Sequence, residues 1–80
     1  MKIRKQPYGD ANIIGRNIER LRIEKGIKQK DFIAQMQLNG VDINPTSYSK
    51  LEGQVRIATD KEAYIASKIL NVSLDEIFKN

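Results

Sequence analysis

The chain contains no cysteine and no histidine. The first absence excludes disulfides and thiolate metal sites. The second removes the commonest general base and the commonest metal ligand. No apolar run approaches the roughly 20 residues of a membrane-spanning helix, and the basic start lacks the apolar stretch of a signal peptide. A cytoplasmic location is the expectation. Alternating β patterns, internal repeats, low-complexity tracts and glycine-rich phosphate loops are also missing. At 80 residues the chain makes one small domain, too short for a large core or a deep substrate cavity. No residue pair resembles a nucleophile with its base, so neither an enzyme nor a cofactor or metal is expected.

Hydrophobic residues make up 40% and charged residues 30% of the chain, a balance that suits a soluble folded domain. The net charge of +4 is unevenly spread. Residues 1–9 hold Lys2, Arg4 and Lys5 and no acid. From Asn12 to Lys30, the bases Arg16, Arg20, Arg22, Lys25, Lys28 and Lys30 face only Glu19 and Glu24. From Ile57 onward Lys61, Lys68 and Lys79 face Asp60, Glu62, Asp75 and Glu76. Such polarity turns the N-terminal half toward a polyanion.

Residues 1–9 lack periodicity, and Pro7 with Gly9 marks them as an irregular basic arm. Residues 10–80 read as an all-α, compact five-helix bundle. The first helix starts near Asp10 or Asn12, either of which suits the cap. Ile14, Ile18 and Leu21 form its apolar stripe; Gly26 closes it and Ile27 folds back. The second begins at about Gln29 and turns Phe32, Ile33 and Met36 inward. Its start is weak: Lys28 sits where serine or threonine caps best, and only Asp31 complements the helix dipole. Asn39-Gly40 stops it.

The third helix has the better start, with Asn44 as cap, Pro45 in the first turn and Ile43 stapled onto Tyr48. It runs to about Glu52, with Gly53 as terminator. Thr59-Asp60-Lys61-Glu62 is a capping box opening a fourth helix, which presents Ala63, Ala66, Ile69 and Leu70 to the core. Asn71 suits the left-handed closing conformation. Ser73-Leu74-Asp75-Glu76 reads as a second capping box, with Val72 and Ile77 as its staple.

On a wheel of about 100° per residue, Ser47, Tyr48 and Leu51 of the third helix point inward. Pro45, Thr46, Ser49 and Lys50 then share the outer face, which is nearly free of bulky apolar groups and of acids. A helix lying against bases and phosphates needs both restrictions. Thr46 and Ser49 are short enough for close approach, and each hydroxyl donates or accepts. Lys50 reaches guanine O6/N7 or a phosphate.

The stretch IGRNIERLRIEKGIKQKDFIAQM, a loop and INPTSYSKLEG resembles the phage repressor/Cro-like helix-turn-helix family of XRE-type DNA-binding regulators. The resemblance implies a lambda repressor-like bundle and a sequence-specific, double-stranded DNA-binding transcriptional regulator, a repressor. It places base contacts at Asn44, Pro45, Thr46 and Lys50, with Ser49 on the same face; proline there offers no side-chain hydrogen bond. It places phosphate contacts at Gln29, with Lys28 beside it, and at Gly53, Gln54 and Arg56. Arg22 and Glu52 match a buried ion pair of the family, whose worth lies in placing the third helix because desolvation offsets much of the attraction. About five extra residues between Met36 and Ile43 require a longer second helix or a longer turn.

One recognition helix of about two turns reads only a few base pairs, so a homodimer on DNA is expected, with Leu74, Ile77 and Phe78 as its contact region. The rival reading is a protein-interaction module such as an antitoxin, binding a protein partner through the same fold. A membrane binder is not expected, because the bundle consumes the apolar stripes.

Overall fold

The computed structural model describes residues 7–79. They form five α-helices and, among the described residues, no strand: α1 Ile14–Glu24, α2 Gln29–Leu38, α3 Pro45–Glu52, α4 Asp60–Leu70 and α5 Leu74–Ile77. Lys2, Arg4 and Lys5 of the basic arm lie outside the described residues.

The helix starts follow local chemistry. Asn44 Oδ1 accepts from the Ser47 N–H at 2.8 Å ahead of Pro45. Thr59 and Glu62 exchange both bonds of a capping box. Ser73 makes half of one, accepting from the Glu76 N–H; the Glu76 carboxylate turns instead to Arg20, 3.5 Å away. At α1, Asn12 and not Asp10 supplies the acceptor, taking the Gly15 N–H at 2.8 Å. Lys28 gives α2 no side-chain cap.

The ends of the four longer helices share one device, a left-handed residue at Gly26, Gly40, Gln54 and Asn71. After each, the next N–H reaches back to the last turn: Ile27 to Arg22, Val41 to Met36, Val55 to Lys50 and Val72 to Ser67. This is the Schellman pattern, which satisfies carbonyls the helix leaves open. The α3 terminator departs from expectation. Gly53 keeps a right-handed φ of −78°, and Gln54 takes φ +60° in its place. A side chain there is strained by roughly 1 kcal/mol or more, so something must hold Gln54. The extra residues before Ile43 extend α2 itself to Leu38 and leave a short connection to α3.

The core draws on every helix: Ile14, Ile18 and Leu21; Phe32, Ile33 and Met36; Tyr48 and Leu51; Ala63, Ile65, Ala66 and Leu70; and Ile77. The rings of Phe32 and Tyr48 lie 5.6 Å apart, tilted by 46°, a favourable offset for aromatic pairs. Ile69, expected in the core, is only partly buried, and Ser47 is half-buried beside Tyr48.

Gly15 decides how closely α1 and α3 approach. A Cβ added there would stand 2.1 Å from the Leu51 carbonyl oxygen and 2.7 Å from that of Glu52. Backbone cannot swing aside as a flexible side chain does. In an ordinary helix Gly→Ala gains up to about 1 kcal/mol; here Gly15→Ala should instead cost about 1–3 kcal/mol through overpacking. Urea unfolding measures this, and a midpoint at or above that of the parent would show that α3 yields freely.

Candidate nucleic-acid interface

Beneath α3 lies a carboxylate with almost no contact with solvent. Glu52 is 1% exposed. Its Oε2 accepts from Arg22 Nε at 2.7 Å and from the Tyr48 hydroxyl. Its Oε1 accepts from Gln29 Nε2 at 2.9 Å and from Arg22 Nη2 at 3.4 Å. Arg22 Nη1 donates onward to the Ile27 carbonyl at 2.8 Å. The cluster ties α1, the turn after it, the first residue of α2 and the last turn of α3 to one point. Among the described residues no buried side-chain polar atom lacks a partner.

Its electrostatics are self-consistent. Burial lowers the Arg22 pKa, but the bond to Glu52 and its charge outweigh this and leave it raised. Tyr48 is raised well beyond the ordinary phenol range, first by burial and then by the Glu52 carboxylate. It therefore stays neutral and acts as a donor.

Above this cluster the outer face of α3 meets solvent. Asn44, Pro45, Thr46, Ser49 and Lys50 are exposed, and Lys28 is exposed at the start of α2. The Asn44 Oδ1 is occupied by its cap, so the amide N–H₂ remains for other partners. Gln29 is exposed as a residue, yet its amide also donates to Glu52. One of its two N–H bonds is thereby committed and the group is fixed in direction.

The residues after α3 turn the other way. Gly53 is buried; its N–H donates to Ser49 and its carbonyl accepts from Gly9. Gln54 is 7% exposed. Its Oε1 accepts from the Arg16 N–H at 3.1 Å, and its Nε2 donates to the Asn12 carbonyl at 2.7 Å and to that of Gly9 at 3.3 Å. These bonds hold the left-handed backbone in place. Arg56 donates to the Ser47 carbonyl at 3.0 Å and pairs with Glu62 at 2.7 Å. The expected phosphate grip by Gln54 and Arg56 thus meets side chains committed to the protein itself.

Three contributors escaped sequence reasoning. Asn12 was legible as a cap, but its Nδ2 also donates to the carbonyls of Leu51 at 3.1 Å and Arg56 at 2.8 Å, on the far side of the chain. Glu62 was explained by its capping box, which hid its second role as the partner of Arg56. Arg16 bears a guanidinium stacked 4.6 Å over the Tyr8 ring. No spacing rule announces any of these, because each partner lies outside the local helix.

No family model, no curated protein and no solved structure matches this chain.

Two outcomes follow from the ion pairs. Glu52→Ala leaves a buried guanidinium, a hydroxyl and an amide without their acceptor, and should cost on the order of 3–5 kcal/mol. A denaturant midpoint matching the parent's would refute that. The second outcome is a pH dependence. Burial raises the Glu62 pKa, but the Arg56 bond and the Thr59 N–H outweigh it and hold it below the usual carboxylate range. A depressed folded pKa contributes stability above the unfolded value, about 4.3, and loses it as pH falls through the folded one. Glu62→Gln should therefore be less stable at neutral pH and lose less on acidification from about pH 5. Parallel acid-unfolding profiles would contradict this.

Proposed function

We infer that this chain is a sequence-specific, double-stranded DNA-binding regulator of transcription, a repressor built on a lambda repressor-like bundle. The observation that carries the inference is α3: an exposed face of Thr46, Ser49 and Lys50, short and polar and without an acid, set over a buried ion pair. Such a helix fits the major groove, with hydroxyls and an ammonium aimed at base edges. Lys28 and the outward part of Gln29 flank it as phosphate contacts, joined by the N-terminus of α2. Gly53, Gln54 and Arg56 drop to a structural role. No helix among the described residues is long and apolar enough to cross a membrane, and such a regulator works in the cytoplasm without an enzymatic activity or a cofactor.

A homodimer on DNA fits the surface beside α5. Ile77 is consumed by the core, whereas Leu74 is 45% and Phe78 48% exposed. Ile57, Tyr64 and Ile13 are exposed as well, and two shallow grooves meet at Phe78, lined by Tyr64 and Leu74 on one side and by Ile13 and Ile57 on the other. An apolar knob beside grooves of its own suits an isologous contact. The same patch also supports the rival reading, an antitoxin-like module whose partner is a protein.

Titration against a duplex selected from a random oligonucleotide pool separates the two. The DNA reading expects steep salt dependence, two protomers per palindromic site, and a loss of roughly 1–3 kcal/mol for Lys50→Ala with the fold intact. Absence of duplex binding at low salt would favour the protein-interaction module.

A further inference from the structure

We propose that Arg16, stacked on Tyr8 and set beside the end of α3, is a phosphate-binding residue of the nucleic-acid surface. The inference rests on the DNA-binding reading and names a contact beyond the residues that the helix-turn-helix resemblance assigns to DNA.

Four arginines fall among the described residues, and three are aimed at carboxylates: Arg20 at Glu24 and Glu76, Arg22 at Glu52, and Arg56 at Glu62. The Arg16 guanidinium meets no carboxylate among the described residues. Its Cζ sits over the Tyr8 ring instead, 4.6 Å from the centroid. The ring contact restrains the fork while Arg16 stays exposed to solvent, and an arginine held in this way suits bidentate binding of a phosphate. Tyr8 is itself held, its hydroxyl hydrogen-bonded to Glu19. That acid, one turn along α1 from Arg16, is thus engaged by the hydroxyl.

The placement is also built. Gly9 N–H donates to Gly53 at 2.8 Å and Ala11 N–H to Gln54 at 2.9 Å. Gln54 bridges back to the Asn12 carbonyl and to the Arg16 N–H. A Cβ on Gly9 would stand 2.5 Å from the Gln54 carbonyl oxygen, so the bent segment 9–12 lies directly on the α3 terminus. This strap carries Tyr8 at one end and α1, with Arg16 in its first turn, at the other. Both are therefore fixed to the end of the helix expected to enter the groove, where a duplex presents its flanking phosphates. Arg56, expected to serve there, is occupied by Glu62.

The test compares parent, Arg16→Gln, Arg16→Lys and Arg20→Gln by fluorescence anisotropy from about 50 to 200 mM salt, on the selected duplex and on a random one. Arg16→Gln should weaken both duplexes by a similar factor and flatten the log–log salt slope by about 0.9. Arg16→Lys should keep the slope and lose part of the affinity, and Arg20→Gln should behave as the parent. A parent that binds while Arg16→Gln keeps its affinity and slope would overturn the proposal. So would a loss confined to one base pair with the slope intact, which would make Arg16 a base reader. A parent that binds no duplex defeats the DNA reading itself, a result distinct from either.

Discussion

The burial of one carboxylate governs how α3 is held. An isolated charge at the depth of Glu52 would cost many kcal/mol, so it persists only with its lone pairs filled. Arg22, Tyr48 and Gln29 fill them from three different places in the chain. Because such a cluster is costly when half-made, it tolerates few positions of α3 relative to α1 and α2. Its value is therefore directional and not a large net stability, which suits the proposed role of α3 in meeting a duplex with its outer face.

The backbone carbonyls at the end of α3 are held as well. Helix C-termini leave carbonyls unpaired, and here the segment 9–12 and Asn12 supply donors to Leu51, Gly53, Gln54 and Arg56. Close approach is the condition for this, and Gly15 and Gly9 provide it where any side chain would strike a carbonyl. Gln54 shows the trade within one residue. Its backbone accepts left-handed strain that a glycine would avoid, and its amide uses that placement to join α1, the strap and α3.

What the sequence discloses and what it hides divide along contact distance. The caps at Asn44 and Thr59, the turn at Gly26 and the left-handed Asn71 are legible because each is decided within a few residues. The core stripe is largely legible for the same reason; on α4 Ile65 is buried where Ile69 is expected, and Ile69 is only partly buried, because the face α4 presents depends on its packing. Gly15 looks like a weak helix residue until α3 is laid against it. Gln54 and Arg56 are phosphate contacts only through the helix-turn-helix resemblance; the fold brings Glu62 and the strap within reach of them. The outer face of α3 could be drawn on a wheel, whereas its partners below the surface could not.

The division of cations between arginine and lysine carries a consequence for recognition. Arg22 and Arg56 face inward and Arg20 is tied to acids at the surface. Lys25, Lys28, Lys30 and Lys50 stand exposed. Arginine forks are planar and hold bidentate geometry, while lysine is a mobile point charge on a flexible stem. On the proposed DNA-binding reading, a groove met by Lys50, Thr46 and Ser49 would feel salt-sensitive attraction alongside the few base-edge contacts these side chains offer. On that reading the few base contacts of one face would be supplemented by a second protomer doubling the site, or by the shape of the duplex against a rigidly held frame. The fold invests its arginines in that frame. Arg16 is the exception among the described residues, a fork preorganised by a ring and not consumed by an acid, and it sits where the frame meets the end of α3.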